Sequence, residues 1–185
     1  MSTQLWGVVI AALDSEAQAR WWAHALGWRA EAEDDGDWCV VADDPTVPKL
    51  LFETVADAKT RLKNRIHLDI ASASASAQAA TVARLRAVGA TDADVGQHAQ
   101  PWVVLADPEG NEFCVLDPRH RYQDAPGLAS IVIDANDPDR MAEFWAAATG
   151  WPVGNRGVYG VSLHRAGDRP PDIDFVRVPE LKTLK

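Results

Sequence analysis

Apolar and polar residues alternate along this chain in a pattern that recurs three times. Val8 to Leu13 is a short apolar run that ends at Asp14, a residue suited to capping a helix. Ala19, Trp22, Ala25 and Leu26 follow at helical spacing, and Gly27 supplies a C-terminal stop. Trp28–Glu33, Trp38–Ala42 and Lys49–Val55 then read as strands, with a turn at Asp34-Asp35-Gly36 and breaks at Asp43-Asp44-Pro45 and Pro48. From Arg65 to Leu116 the same order returns. A strand covers Ile66–Ile70, and Ser72, Ser74 and Ser76 offer caps. Ala79, Val82, Leu85 and Val88 form a helical stripe closed by Gly89, and strands are predicted over Asp94–His98, Trp102–Ala106 and Glu112–Leu116. The last two are joined by Asp107-Pro108-Glu109-Gly110-Asn111, which has the residues of a tight hairpin turn. In the third stretch, Leu128–Pro179, Asp137 caps and Pro138 takes the first helical position. Met141, Phe144, Trp145 and Ala148 are expected to form the apolar face, and Gly150 closes the helix.

The first and third stretches are a true internal repeat. A shift of 123 places lays Val8-Val9-Ile10 on Ile131-Val132-Ile133, Asp14 on Asp137, Trp22 on Trp145 and Gly27-Trp28 on Gly150-Trp151 without a gap. The same shift superposes Pro48 on Pro171, Phe52 on Phe175 and Lys59-Thr60 on Lys182-Thr183. Each unit therefore reads as strand, helix and three strands, which makes the fold class α+β, built of βαβββ units. Two units are expected to form one domain over residues 1–118, with a polar linker over 119–127 and a third, orphan unit over 128–185. A lone unit leaves a sheet edge and a face uncovered. The third unit is therefore expected to pack against its counterpart in a homodimer, or to cover the open face of the first domain. The stop at Lys185 also reads as a truncation before a fourth unit.

Charge narrows the partners. The formal charge of −9 opposes binding to nucleic acid or to an anionic membrane surface. No apolar run reaches membrane-spanning length, and the N-terminus lacks the pattern of a secretory signal. Cys39 and Cys114 have neither CxxC spacing nor the density of a disulfide framework, which suits a reducing cytoplasm. Eight tryptophans supply contact area for a core or for the wall of a small-molecule site.

The chemistry concentrates in Lys63-Asn64-Arg65-Ile66-His67-Leu68-Asp69-Ile70, where His67 and Asp69 share one face of a strand and Leu68 and Ile70 the other. That polar face is either a solvated surface or the wall of a cleft. Alternation likewise sets Glu112 and Cys114 opposite Phe113 and Val115 on the last strand of the second unit. A histidine beside a carboxylate can titrate near neutrality and serve as a general base, the role expected of His67. No phosphate loop, nucleophile elbow or HExxH motif is present. His24, His98, His120 and His164 carry no such pattern. The acidic run from Glu31 to Asp37 lacks the ligand alternation of a calcium loop.

The paired units, with the wording KNRIHLDI and DPEGNEFCVLDP and the series Asp14, Trp22, Gly27-Trp28, resemble the vicinal oxygen chelate superfamily. That superfamily holds glyoxalase I, the extradiol dioxygenases and the fosfomycin- and bleomycin-resistance proteins, and the resemblance is closest to its glyoxalase-like subgroup. It implies a cleft enclosed by curved sheets, and, in the metal enzymes, a divalent ion held by residues of the first and last strands of each unit. Carried over here, those positions fall at about Gly7 (or Trp6), at Glu53, at His67 and at Cys114 where a glutamate is usual. Only His67 matches outright, so no metal is favoured, and His67 and Glu53 are the candidates should one bind. The expected ligand-binding residues are Glu53, His67, Asp69, Glu112 and Cys114, with Trp38 and Trp102 at the rim. The resemblance implies a small-molecule protein, either a metal-weak or metal-independent lyase or isomerase, or a non-catalytic drug- or metabolite-binding protein of the bleomycin-resistance type.

Overall fold

The computed structural model describes residues 3–34, 36–97, 100–125, 127–165 and 167–180. Each of the three stretches folds as a strand, a helix and three strands. The first holds β1 (Gly7–Ala12), α1 (Ser15–Leu26), β2 (Arg29–Ala32), β3 (Trp38–Val41) and β4 (Lys49–Thr54). The second holds β5 (Ile66–Ile70), α2 (Ala75–Ala87), β6 (Thr91–Asp92), β7 (Val103–Ala106) and β8 (Glu112–Val115). The third holds β9 (Leu128–Ala135), α3 (Pro138–Thr149), β10 (Val153–Arg156), β11 (Gly160–Leu163) and β12 (Asp172–Arg177).

The helix ends follow their cap residues. Asp14 accepts from the Ala17 amide and Asp137 from the Arg140 amide, while Gly27 and Gly150 take the left-handed conformation that closes α1 and α3. Two expected elements differ. The strand placed at Asp94–His98 forms instead at Thr91–Asp92, which pairs with Leu105 and Ala106 of β7. Asp94 is drawn into a local turn, its carboxylate accepting from the Gly96 amide at 2.9 Å, and that bond competes with a strand ladder. His98 lies outside the described residues, as do Asp35 of the expected first turn and the tail from Leu181 to Lys185. Phe144 does not join the core face of α3: it is 63% exposed, and the helix instead packs Ala142, Met141, Trp145 and Ala146 onto its sheet. On α2 the buried stripe shortens to Val82 and Leu85, leaving Ala79 and Val88 exposed.

Two sheets result. The first unit makes a sheet of its own in the order β1-β4-β3-β2, and the second and third units share one in the order β10-β11-β12-β9-β5-β8-β7-β6. The seam of the larger sheet is antiparallel, with His67 opposite Val132 and Asp69 opposite Ser130. The second unit thus meets the third edge to edge through their first strands, and it meets the first unit face to face. Trp21 and Trp22 of α1 pack edge-on against each other and against Phe113, with ring centroids 5.2–5.7 Å apart. Phe113 and Val115 face this core, as the alternation in β8 requires, and Cys114 faces away from it. The connection over 119–127 is more than a polar linker. It winds into a short 3-10 turn over His120–Tyr122, and Tyr122 is buried with Cys114, Leu116 and Ala129 against the other face of the large sheet.

Candidate functional site

The face of the large sheet turned away from the inter-unit core collects the polar residues of five strands. Asp69 lies beside both Cys114 on β8 and Ser130 on β9, Ser130 beside Asp172 on β12, and Asp174 beside Val132 and Ser162. Alternation sends all these side chains to one side. One ligating atom from each of His67, Asp69 and Cys114 falls within 4.8 Å of the others. His67 Nε2 stands 3.5 Å from Asp69 Oδ1, slightly long for a hydrogen bond. His67 Nδ1, Asp69 Oδ1, Ser130 Oγ and Asp174 Oδ1 are buried without a well-formed hydrogen bond, an unusual concentration of unsatisfied polar atoms.

Burial sets the electrostatics of this group. The Asp69 carboxyl is pushed up to about 7, first by desolvation and then by the charge of Asp174, against the pull of Cys114, Arg119 and Ser130. Asp174 is raised as well, again chiefly by burial. The Cys114 thiol is raised by burial and by Asp69 beside it. His67 moves the other way, down to about 4, because desolvation and the nearby Lys63 ammonium outweigh Asp134 and Glu112. The imidazole is therefore neutral at pH 7, and Asp69, not His67, is the member of the pair that titrates near neutrality.

Both ends of this polar face are covered. At one end the connection between the first and second units folds over it. Lys59 Nζ bonds Glu112 at 3.1 Å, the Asn64 amide bonds the other Glu112 oxygen at 3.2 Å, and Lys63 bonds Asp134 at 2.6 Å. At the other end Tyr122 Oη donates to Asp172 at 3.1 Å, and Arg121 holds both oxygens of the same carboxylate. The open space lies next door. A cavity of about 690 Å³ runs between the first and second units, with Val8, Ile10 and Leu68 on its apolar side and Lys59, Asn64, Asp107 and Glu112 on its polar side. Trp22 and His67 also line it. Its volume suits a small organic ligand.

The residues expected from sequence divide accordingly. His67, Asp69 and Cys114 come together. Glu112 sits at the edge of the group, held by Lys59, and also lines the cavity. Glu53 is exposed on β4 and belongs to neither the group nor the cavity lining. Trp38 is half-buried under the Arg20 guanidinium, 4.9 Å from its ring, and Trp102 bonds Gln97 and lies 5.7 Å from Arg119, so neither lines the cavity. The acidic residues of β12 were not anticipated. Their signal was present, because Asp172-Ile173-Asp174-Phe175 alternates in the same way as Ile66-His67-Leu68-Asp69.

The donor set fits a divalent cation. A neutral imidazole, a carboxylate and a thiol are the groups that borderline-soft metals take, and three protein donors suffice for a site with an open position. The unsatisfied Asp69 Oδ1, 3.5 Å from His67 Nε2, is an atom such an ion would satisfy.

Comparison with known proteins places these features. The family model described as Glyoxalase-like domain matches residues 7–116 and 130–185. No significant match was found among curated proteins. Among solved structures, glyoxalase I from Zea mays superposes with a TM-score of 0.65 at 14% identity, over 93% of this chain and 66% of the maize chain. A candidate dioxygenase from Bacillus subtilis gives 0.62 at 16% identity, over 98% of this chain and 66% of its own. A glyoxalase/bleomycin resistance protein/dioxygenase family enzyme from Burkholderia phytofirmans gives 0.50 at 16% identity, over 63% of this chain and all of its own. At these identities the structural likeness shows the fold. The chain spans about two thirds of the length of the maize and Bacillus proteins.

Proposed function

The chain belongs to the glyoxalase-like domain family, and from that premise we propose that it binds a small oxygenated molecule between its first and second units and moves a proton on it, as a lyase or isomerase does. One observation carries this reading: His67 both lines the cavity and stands 3.5 Å from the buried Asp69. A proton taken from a carbon next to a carbonyl passes to His67, and Asp69 shares it. Its return to a neighbouring atom completes an isomerisation with no net change in oxidation state. His67, Asp69 and Cys114 are the residues that would hold a divalent cation, and such an ion supplies Lewis-acid polarisation of a substrate oxygen. Neither role demands a partner beyond the ligand, and no helix among the described residues is long and apolar enough to cross a membrane. The free thiols of Cys39 and Cys114 support the reducing cytoplasm as the setting.

A second reading has its own support. The acidic group is sealed by the Lys59–Glu112 and Lys63–Asp134 pairs and by Tyr122, an arrangement suited to a non-catalytic protein that binds a drug or metabolite in the cavity alone. One experiment separates the two. The protein is presented with a panel of α-keto hemithioacetals, catechols and epoxides, with tryptophan fluorescence and turnover followed together. Turnover that Asp69→Asn abolishes while quenching by the same compound persists supports proton transfer. Saturable quenching without turnover for any compound supports binding alone.

A further inference from the structure

The two pieces of chain that close the ends of the polar face are held in different ways. At one end Tyr122 is buried among apolar neighbours, and its hydroxyl and the Arg121 guanidinium both bond Asp172, itself 1% exposed. Opening there would strip a buried carboxylate of its partners, which is strongly unfavourable. At the other end the connection over residues 55–65 forms a strap, which lines the cavity on one side and bonds the polar face on the other. From residue 56 to residue 62 only Lys59 is not exposed, and Leu62 is 60% exposed. Among the described residues, no backbone hydrogen bond joins residues 56–63 to either unit. The bonds that flank the strap run from the Val55 amide to Ala12 and from the Asp134 amide to Arg65. A segment with so little buried apolar surface and so few backbone bonds lies at the low-stability end of a fold.

Side chains hold the strap down, and most of them converge on Glu112. Lys59 Nζ donates to Glu112 Oε1 at 3.1 Å, and the same ammonium donates to the carbonyls of Thr60 and Leu62, which fold the strap around it. The Asn64 amide donates to Glu112 Oε2 at 3.2 Å, and the Asn64 side chain donates to Asn111 at 3.0 Å. Lys63 adds its bond to Asp134. The Lys59 and Glu112 side chains are each only 13% exposed, so their attraction is little screened by solvent. Glu112 stands on β8 two residues before Cys114, and alternation puts the two on one face.

We propose that the strap is a gate between the cavity and the buried Asp69 and Cys114, and that the Lys59–Glu112 pair is its latch. His67 stands at the threshold, because it lines the cavity and lies 3.5 Å from Asp69. Breaking the latch frees the middle of the strap while the backbone bonds at Val55 and Arg65 keep its two ends in place. The closure at Tyr122 stays shut. Access to the buried group is thereby set by one ion pair on the cavity wall. This rests on the reading that the buried group serves a ligand in the cavity. The gate itself is measured with no ligand and no turnover, so either idea can fail while the other stands.

Thiol labelling supplies the test. Cys39 and Cys114 are both free and buried, and Cys39 belongs to the first unit's sheet, away from the strap. Cys39 therefore reports unfolding, and Cys114 reports any opening of the polar face. The full chain is treated with a low concentration of iodoacetamide, so that labelling follows the population of the open form, and each cysteine is read by peptide mass. The charges acting on the Cys114 thiol are those of Asp69, Lys63 and Arg119, so removing Lys59 changes access and not the ionisation of the thiol. Lys59→Met is expected to speed Cys114 labelling roughly tenfold, the effect of losing one charge-assisted bond, and to leave Cys39 unchanged. Lys59→Arg keeps the charge and is expected to label near the parent rate. Tyr122→Phe, which loses only the bond to Asp172 at the other end, is expected to do the same. An unchanged Cys114 rate in Lys59→Met overturns the proposal. Equal acceleration of both cysteines also overturns it, since the pair would then clamp the whole fold. So does acceleration by Tyr122→Phe in place of Lys59→Met, which puts the entrance at the opposite end.

Discussion

The Trp22 indole donates to the Asp107 carboxylate at 3.0 Å, and this bond ties the first unit to the turn of the second. Asp107 is almost fully buried and accepts at the same time from the amides of Glu109 and Asn111 and from the Asn111 side chain. One carboxylate thus shapes the β7–β8 hairpin and anchors it to α1. Replacing Trp22 by Phe leaves that carboxylate one donor short and opens a gap beside Phe113. The expected loss is roughly 2–4 kcal/mol, from an unmet charged acceptor plus a partly filled cavity. Urea unfolding followed by circular dichroism measures it. A loss below about 0.5 kcal/mol would show that the inter-unit bond contributes little.

The pH dependence of stability offers a second check, in protein stripped of metal. Asp69 is raised from 3.8 to about 7 in the folded state, so folding favours its protonated form. Its contribution is complete at low pH and is lost as pH rises from about 4 to 7. His67 is lowered from 6.5 to about 4, so folding disfavours its proton, and stability is lost as pH falls from about 6.5 to 4. The two effects run in opposite directions over nearly the same window, about 4 kcal/mol for Asp69 and about 3 kcal/mol for His67, and largely cancel in the parent. Each substitution should unmask the other group. Asp69→Asn is expected to gain stability as pH rises from 4 to 6.5, and His67→Gln to lose stability as pH rises from 4 to 7. Urea midpoints at half-unit pH steps decide the matter, and two variants with the same slope as the parent would refute it.

Much of this architecture is legible in the residues themselves. The repeat, the caps at Asp14 and Asp137, the glycine stops and the alternation in β5 and β8 are local signals, and each forms where its chemistry puts it. The partner of each sheet edge is not local. Nothing in Ile66–Ile70 says whether its free edge will meet the first unit or the third, because both offer a first strand of similar composition. That choice moves the polar face of β5 away from Glu53 and toward Asp174 and Ser130. The state of His67 was hidden for the same reason. Its low pKa comes from burial and from Lys63, neither of which can be seen from the Asp69 two places along. Phe144 misleads differently, since an apolar residue at helical spacing reads as core from the sequence, yet this one is exposed.

Metal binding is open to a direct spectroscopic reading. If His67, Asp69 and Cys114 act as a donor set, cobalt(II) added to metal-free protein gives a thiolate-to-metal charge-transfer band in the near ultraviolet. Binding must release protons, because Cys114 is held protonated by burial and Asp69 is held partly so at pH 7. Affinity should therefore climb steeply with pH between 6 and 8, roughly tenfold or more per pH unit if both groups lose a proton. Cys114→Ser is expected to remove the band, and His67→Ala to weaken binding by roughly 10- to 1000-fold. A band that survives Cys114→Ser would place the metal elsewhere, for example at Cys39.

Lys63 gives the sharpest separation of electrostatics from packing. Its ammonium bonds Asp134 at 2.6 Å on the rim of the polar face, and after burial it is the main influence depressing the His67 pKa. Removing that charge acts on the imidazole in two ways of the same sign. The repulsion of Lys63 disappears, and the Asp134 carboxylate, no longer neutralised, attracts a proton to the ring more strongly. Glu112 keeps its own partner in Lys59 and so stays as it was. Lys63→Met preserves the aliphatic stem and changes little else in the contact, because about a third of the lysine side chain is already exposed. The His67 pKa is therefore expected to rise toward its ordinary value in Lys63→Met, and to rise less in the double variant Lys63→Met/Asp134→Asn, which removes both charges of the pair. Titration of the His67 ring by NMR reads this directly. An unchanged midpoint in Lys63→Met would mean that burial alone keeps the imidazole neutral, and that the ion pair at the rim is a clasp with no influence on the group beneath it.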